Sequence, residues 1–225
     1  MQDRSMSDER PARPTPSSAS GSLRLLGSAA GLWAAFGLLA LAVRGGLTTS
    51  IDHAALHAAR ALRTAHPALV GVLRDLSGFG STTVLFMLCG LMAGWLALRG
   101  ARLQGVVVIA AAGLGFAADN LAKQIVGRAR PDAADAAFVV TTYSYPSGHA
   151  AFSALAFLVL GSVLASDRPP RERRYVLAVA IAFSALVGAS RVLLGVHWAS
   201  DVLGGWMFGA GGALAVIAAL RAARR

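Results

Sequence analysis

Charge and cysteine are both scarce in this sequence. Of its 225 residues only 14% are charged, against about 25% in an ordinary soluble domain, and Cys89 is the sole cysteine. One thiol excludes an intramolecular disulfide and a cysteine-based zinc site, and its apolar surroundings predict inert packing in a core. With 56% hydrophobic residues and a mean hydropathy of +0.59, the chain is better solvated by lipid than by water.

The chain is nevertheless basic, with 21 Lys and Arg against 11 Asp and Glu and a formal net charge of +10. A nucleic-acid partner requires a continuous basic patch, usually with aromatic side chains for stacking. Here the basic residues are scattered between apolar runs, and aromatic residues make up only 7%. We therefore interpret the positive charge as the flanks of membrane spans and predict no nucleic-acid partner.

Six apolar runs follow a polar N-terminal segment, and each is close to the ~20 residues that a helix needs to cross ~30 Å of hydrocarbon. The runs are 25–43, 81–98, 105–121, 150–165, 175–194 and 202–220. This pattern predicts an all-α fold, a six-span transmembrane helical bundle over residues 23–225, preceded by a disordered cytoplasmic tail over residues 1–22. Ala40-Leu41-Ala42 resembles a signal-peptide cleavage site, but acidic residues in the long leading region favour an uncleaved first span.

Arginine is concentrated in the tail, at residues 99–102, in the segment DRPPRERR and at the C-terminus. If six spans alternate, these segments share one side of the membrane, which the positive-inside rule makes cytoplasmic. The opposite side also holds some arginine, so the bias is not complete. The sequence thus predicts a multi-pass plasma membrane protein with both termini in the cytoplasm. Its richness in Ala, Gly and Arg is typical of a GC-rich bacterial genome.

Between the first two runs, apolar residues recur at helical spacing. They are Ile51, Ala55, Leu56, Ala59 and Leu62. Charged and polar residues alternate with them, namely Asp52, His53, His57, Arg60 and Arg63. This pattern predicts an amphipathic helix that lies at the membrane interface, with the two histidines solvated rather than acting as ligands.

Three polar clusters interrupt the apolar chain on the same predicted side, and the cluster SRVLLGVHWASD joins the last two runs. If a helix has begun by Asp201, its carboxylate is within reach of His197 and fixes the ring tautomer, leaving the other nitrogen as a base or nucleophile. Arg191, near the end of an apolar helix, requires an anionic partner. A snorkelling arginine and a helix-capping aspartate explain this cluster equally well.

The cluster PSGH opens the fourth run. Pro146 suits the first turn of a helix, where Ser147 and Gly148 would present a hydroxyl and accessible backbone N–H groups to an anion. His149, beside that site, could give a proton to a leaving group. Taken alone, these four residues are better explained as a helix N-cap beside an incidental histidine.

The cluster KQIVGRARP follows the third run, and its Lys123 and Arg130 could hold phosphate oxygens or merely anchor the end of a span. Asp119 lies one turn earlier and either pairs with Lys123 or has a role of its own. Together, the clusters describe a phosphate pocket with a nucleophile, an orienting carboxylate and a general acid. The sequence has no carboxylate cluster with metal-ligand spacing, so the cations would take the part that Mg²⁺ takes elsewhere.

The three clusters together resemble the type 2 phosphatidic acid phosphatase family, within the lipid phosphate phosphatase and vanadium haloperoxidase superfamily. The motif Lys-x6-Arg-Pro corresponds to Lys123, Arg130 and Pro131, Pro-Ser-Gly-His to residues 146–149, and Ser-Arg-x5-His-x3-Asp to Ser190, Arg191, His197 and Asp201. Every motif position matches, and the resemblance covers the chain from about residue 51 onward.

The resemblance implies a six-span fold with its active site at the outer membrane surface and hydrolysis without metal or cofactor. His197 would attack phosphorus and form a phosphohistidine, Asp201 would orient it, and His149 would protonate the leaving oxygen. The phosphate would be held by Lys123, Arg130, Ser147, Gly148 and Arg191. Supporting positions would be Pro131, Pro146 and Ser190, and Arg128, outside the motifs, is an additional candidate contact to phosphate.

The implied substrate is a lipid phosphate such as phosphatidic acid. Undecaprenyl pyrophosphate is an alternative that would use the same residues. A haloperoxidase is disfavoured because those relatives are soluble, whereas this chain has membrane-spanning character. A non-catalytic lipid-binding or transport protein of the same fold would be expected to lack at least one catalytic residue, and the sequence retains all of them.

Overall fold

The protein is described by a computed structural model over residues 18–223, which form eight α-helices, one short 3-10 turn at Ala133–Asp135 and no β-strand. The helices are α1 (Ser18–Arg44), α2 (Thr49–Ala65), α3 (Leu69–Gly78), α4 (Thr82–Leu98), α5 (Arg102–Val126), α6 (Gly148–Leu164), α7 (Pro170–Leu193) and α8 (Ala199–Ala222). The predicted all-α fold is confirmed over this range. Most of the predicted tail lies outside the described residues, and its last part, from Ser18, already belongs to α1.

Within this range four helices are long and apolar enough to cross a membrane: α1 from Ser20 onward, α5, α7 and α8. Helices α3 and α4 qualify together as a fifth crossing, bent by 41° at the break between them. The chain is therefore a multi-pass membrane protein. Helix α6 is apolar but has only 17 residues, so the prediction of six spans stays a prediction.

Helix α6 is the centre of the bundle. Its buried side chains run from Ala150 to Val163, and it packs against α4, α5, α7 and α8. The apolar core on these helices includes Leu85, Cys89, Val108 and Val159. Cys89 is a buried free thiol, as predicted.

A glycine brings α6 and α8 into direct backbone contact. A Cβ atom at Gly209 would lie 2.0 Å from the carbonyl oxygen of Ala151, so any other residue would force the two helices apart. Small residues permit such close approach in membrane bundles. At the ends of the same helices, the backbone N–H of Ser147 donates to the carbonyl oxygen of Asp201 at 2.9 Å. This packing fixes the start of α6 beside the start of α8.

The residues predicted as an amphipathic helix lie in α2, and a second short helix, α3, follows them. The residue before Pro67 is disfavoured in the helical conformation, and α2 ends just ahead of it, at Ala65. The buried side of α2 carries Asp52, Leu56 and Ala59, whereas Ile51 is 70% exposed. Asp52, which the pattern places among the polar residues, is buried instead, since partners elsewhere in the chain hold its carboxylate. His53 and His57 are exposed, as predicted.

Candidate active site

The three polar clusters meet at one cavity of about 170 Å³, where α5 and α7 end and α6 and α8 begin. Each cluster contributes to its wall. The charged and catalytic candidates there are Lys123, Arg130, His149, Arg191 and His197, with Gly148 among them. Segments far apart in sequence thus form a single polar site at one end of the bundle.

His197 and Asp201 lie side by side at the start of α8. The helix begins at Ala199, which places Asp201 in the first turn, and its Oδ2 lies 3.4 Å from Nδ1 of His197. The same oxygen accepts a hydrogen bond from the backbone N–H of Trp198 at 2.9 Å. The two interpretations of the sequence, a helix cap and a histidine partner, therefore both apply to one carboxylate.

The other ring nitrogen of His197, Nε2, lies 2.9 Å from Nη1 of Arg130. A guanidinium offers only donors, so Nε2 is the acceptor, and the proton of the neutral ring is on Nδ1, facing Asp201. Burial lowers the pKa of His197 to about 3; Asp201 opposes this effect, and Arg130 and Arg191 add to it. The ring is therefore neutral near pH 7, with a lone pair on Nε2.

Arg130 is held by oxygen atoms of two loops. Its Nε donates to the carbonyl oxygen of Thr142 and its Nη1 to that of Val196, both at 2.6 Å. Its Nη2 donates to Oγ1 of Thr142 at 3.0 Å. Because these acceptors are neutral, the positive charge of the guanidinium stays available to an anion in the cavity.

Arg191 is the second cation of the cavity, and it is buried, with an exposed fraction of 4%. Its Nη1 donates to Oγ of Ser77 at 2.6 Å, and its guanidinium lies over the ring of Phe138 at 5.5 Å. Its Nε has no hydrogen-bond partner within the described residues. Arg191 does not snorkel to the surface, and the interpretation that it requires an anion fits this burial.

Lys123 is the third cation of the cavity. Its Nζ lies 2.6 Å from Oδ2 of Asp119, which confirms the predicted pairing of these two residues, and it donates to the carbonyl oxygen of Pro146 at 2.6 Å. Asp119 also lines the cavity. Three cations against one carboxylate leave the described wall of this cavity with a net positive charge, which suits an anion.

In the PSGH segment the helix begins later than the sequence predicts. Helix α6 begins at Gly148 with Ser147 as N-cap, so Pro146 precedes the helix instead of opening its first turn. A Cβ atom at Gly148 would lie 3.0 Å from Oδ2 of Asp119, so glycine leaves room for the ion pair of Asp119 and Lys123. Oγ of Ser147 is buried without a partner in the described chain, and its contact to phosphate stays a prediction.

Arg128 does not form the wall of the cavity. Its Nη1 donates to Oδ1 of Asp201 at 2.6 Å, and its Nη2 donates to Oδ2 of Asp52 at 2.6 Å. Because both ends of its fork are bound to carboxylates, Arg128 is corrected from a candidate phosphate contact to a partner of Asp201.

Two other motif residues lie outside the wall of this cavity. Oγ of Ser190 donates to the carbonyl oxygen of Val187 at 2.6 Å, and Pro131 lines a small neighbouring cavity with Arg130.

Two residues of the site were missed by sequence reasoning. Oγ of Ser144 donates to Oδ2 of Asp201 and lies 3.4 Å from Nδ1 of His197. Its only local signal is its place next to the PSGH segment. Asp52, in α2, accepts from Arg128 and from the backbone N–H of Ser200, and no local pattern indicates this.

Comparison with known proteins places these residues in a family. Residues 101–225, which include all three polar clusters, match the PAP2 superfamily. Phosphatidylglycerophosphatase B of Bacillus subtilis (strain 168) is 29% identical over 176 residues, or 77% of this chain and 85% of that protein. Decaprenylphosphoryl-5-phosphoribose phosphatase of Mycobacterium tuberculosis (strain CDC 1551 / Oshkosh) is 34% identical over 147 residues, or 64% of this chain and 76% of that protein.

A solved structure has the same fold. It is the crystal structure of the first transmembrane PAP2 type phosphatidylglycerolphosphate phosphatase from Bacillus subtilis, with a TM-score of 0.75 and 29% sequence identity. The likeness covers 84% of this chain and 94% of that one. It therefore extends over nearly the whole bundle and is not confined to the motifs.

Proposed function

Because this chain belongs to the PAP2 superfamily, we propose that it is a membrane phosphatase that hydrolyses a lipid phosphate through a phosphohistidine at His197. The observation that carries the proposal is the nucleophile in its cavity: a buried neutral imidazole whose Nε2 meets a cation and whose Nδ1 meets a carboxylate. An in-line attack on phosphorus needs such a lone pair, next to positive groups that bind the phosphoryl oxygens.

In the first step Nε2 of His197 forms a bond to phosphorus, and the bond from phosphorus to the lipid oxygen breaks. The imidazole gains positive charge, which the carboxylate of Asp201 stabilises across Nδ1. His149, on the cavity wall, gives its proton to the leaving oxygen. In the second step His149 takes a proton from a water molecule, which attacks the phosphohistidine, and inorganic phosphate leaves as His197 is restored.

Lys123, Arg130 and Arg191 supply the positive charge that the transferring phosphoryl group requires. Charge spreads over its equatorial oxygens in the transition state, and fixed donors in a buried site stabilise it more than water does. In the described part of the cavity wall the one carboxylate is Asp119, which is paired with Lys123. A wall of cations supports a reaction that needs no divalent metal.

An apolar cavity supports a lipid substrate. It has a volume of about 280 Å³, and Phe152 belongs to its wall as well as to the wall of the polar cavity. Its other walls include Trp33, Leu114, Leu155 and Val216, from α1, α5, α6 and α8. A lipid whose phosphate reaches His197 could keep its chain among these side chains.

We propose six membrane spans, α1 and α4 to α8, with α2 at the interface and residues 1–22 as a cytoplasmic tail. The ends of α5 and α7 and the starts of α6 and α8 share the polar cavity, as alternating spans require. The arginine-rich segments then lie at the opposite, cytoplasmic end. The active site accordingly faces the outside.

The substrate class follows from the relatives. The name of the Bacillus relative indicates a glycerophospholipid, which favours a phosphatidic-acid-like substrate, and the name of the mycobacterial relative indicates a polyprenyl chain. A polyprenyl pyrophosphate such as undecaprenyl pyrophosphate is therefore the second candidate.

A substrate panel tests the proposal. Phosphate release by the purified protein is measured for phosphatidic acid, phosphatidylglycerol phosphate, undecaprenyl pyrophosphate and a soluble phosphate ester, and kcat/KM is compared. The H197A variant should lose at least about a thousandfold in activity on each active substrate. If no lipid releases phosphate, or if H197A is as active as the parent protein, the enzyme function is wrong, and a lipid-binding or transport protein becomes the better explanation.

A further inference from the structure

Arg128 joins two buried carboxylates that lie far apart in sequence. The exposed fraction of its side chain is 16%, against 1% for Asp52 and 0% for Asp201. One end of the guanidinium is bound to each carboxylate at 2.6 Å. The cation is also 5.4 Å from the centre of the Trp198 ring. Since Arg128 is not in the wall of the polar cavity, this network is separate from the proposed phosphate site.

Asp52 reaches the start of α8 from α2. Its Oδ1 accepts from the backbone N–H of Ser200 at 2.9 Å, and its Oδ2 accepts from Oγ of Ser200 at 2.7 Å. The N–H of Ser200 belongs to the first turn of α8, where no carbonyl oxygen within the helix is available. Asp52 therefore caps the helix that carries Asp201, and it also holds the cation bound to Asp201.

The orientation of Asp201 depends on all of these contacts. Oδ1 is held by Arg128, while Oδ2 is held by the N–H of Trp198 and by Ser144. Only a carboxylate fixed at both oxygens presents Oδ2 to Nδ1 of His197 in a constant geometry. Removing the guanidinium would leave two buried carboxylates without a counter-charge, and each would then turn or take up a proton.

We propose that Arg128 is a positioning residue of the reaction and that Asp52 anchors it. The bridge from Asp52 through Arg128 to Asp201 fixes the orientation of the Asp201 carboxylate, which in turn orients His197. This inference rests on the proposed function, and it gives a role in the reaction to two residues outside the motifs. Arg128 acts through Asp201 and makes no contact with the phosphate.

Kinetic measurements distinguish an arginine that positions another residue from an arginine that binds phosphate. A positioning residue affects the chemical step, so its loss lowers kcat and leaves the affinity for a phosphate-like anion nearly unchanged. A phosphate ligand affects both, because inorganic phosphate, the product, uses the same cations as the transferring phosphoryl group but forms no bond to His197. The inhibition constant of inorganic phosphate therefore distinguishes the two roles.

The experiment compares R128Q, R128K, D52N and the double variant D52N/R128Q in detergent or vesicles with the best substrate of the panel. We expect R128Q to lower kcat about 10- to 100-fold, with KM and the inhibition constant of inorganic phosphate within about threefold of the parent protein. R128K, which keeps the charge, should recover part of the loss. The double variant should be no less active than R128Q, because the two residues act as one unit.

R60Q is the matched control. Arg60 forms an ion pair of the same length, 2.6 Å, with Asp135, but its side chain is 58% exposed and does not contact His197 or Asp201. Its activity should stay within about twofold of the parent. Gel filtration and melting temperature check folding for every variant. If R128Q does not fold, D52N, which retains the guanidinium, gives the same comparison of kcat with inhibition by inorganic phosphate.

Three results would overturn the inference. An inhibition constant of inorganic phosphate that rises in step with the loss of kcat in R128Q would make Arg128 a phosphate ligand. Losses that multiply in the double variant would mean that Asp52 does not act through Arg128. Unchanged kcat in R128Q or D52N would remove the positioning role. A parent protein that releases no phosphate is a different outcome, since it overturns the proposed function itself.

Discussion

Nη1 of Arg130 donates to Nε2 of His197 across 2.9 Å. The nitrogen proposed to attack phosphorus is therefore hydrogen-bonded to one of the cations proposed to bind phosphate. For attack to occur, the guanidinium must turn this donor toward a phosphoryl oxygen, which frees the lone pair of Nε2. Substrate binding and activation of the nucleophile would then be one event.

The same contact predicts the state of the His197 ring in solution. Burial lowers its pKa, so the ring should stay neutral on acidification to about pH 5, with the proton on Nδ1. Nitrogen NMR of histidine-labelled protein, with the signal assigned by its loss in H197N, measures both properties. Protonation with a midpoint near the ordinary histidine value, or a proton on Nε2, would contradict this assignment.

His149 is expected to matter only when the leaving group needs a proton. H149A should lower kcat/KM for phosphatidic acid by about 10²- to 10⁴-fold, because an alkoxide is a poor leaving group. With p-nitrophenyl phosphate, whose leaving group departs as a stable anion, formation of the phosphohistidine should be much less affected. Rapid quench measures how fast each substrate, labelled in its phosphate group, transfers that label to the protein. If H149A slows this transfer equally for both substrates, His149 is not the general acid.

Activity should survive EDTA and should be inhibited by vanadate. The cations of the cavity carry the charge that a metal would carry elsewhere, and vanadate resembles the pentacoordinate phosphorus of the transition state. Phosphate release is measured before and after dialysis against EDTA, and again with increasing vanadate. A loss of activity in EDTA that added Mg²⁺ restores would contradict a metal-independent pocket.

The orientation predicts which cysteines an impermeant maleimide reaches in intact cells. Val139 is 72% exposed in the loop near the cavity, which makes V139C an accessible probe of that side. V139C should react in intact cells, and R171C, in the DRPPRERR segment, only after permeabilisation. Both are made in a C89A background. The opposite pattern would invert the topology.

Two glycines in membrane helices should respond in opposite ways to alanine. At Gly209 the new Cβ would meet the backbone of α6, so G209A should lower the melting temperature, at a cost of about 1–3 kcal/mol. At Gly94 the new Cβ would have no atom within 4 Å among the described residues, apart from its chain neighbours and the nearby backbone of its own helix, so G94A should stabilise α4 by up to about 1 kcal/mol. If G209A were as stable as the parent, the close contact of α6 and α8 would be wrong.

The helices were predictable because hydropathy is local. The run 25–43 lies within α1, and the runs that correspond to α4, α5, α7 and α8 lie within a few residues of the observed helices or inside them. The break between α2 and α3 and the burial of Asp52 were not predictable in this way. A charged residue in an amphipathic pattern is assigned to water unless its partner is known, and Ser200 is 148 positions away.

The residues of the site also fall into two groups, those that the local sequence indicates and those whose position depends on distant contacts. Residue types at fixed spacing indicated the members of the cavity wall, because a phosphate pocket needs cations, a helix start and a histidine with a carboxylate. The position of Arg128 depends on contacts with Asp201 and Asp52, 73 and 76 residues away, and nothing in the local sequence separates it from Arg130. Packing decides which of the two arginines faces the cavity.

Asp201 serves the fold and the proposed chemistry with a single oxygen, since Oδ2 caps α8 and also faces His197. Evolution therefore cannot relax selection on one task while keeping the other. A descendant that kept the bundle for lipid binding and abandoned hydrolysis would still need an acceptor for the N–H of Trp198, and aspartate would tend to persist. The aspartate in a homologous sequence is thus weak evidence of activity; the histidine before it, which caps nothing, is the more informative residue.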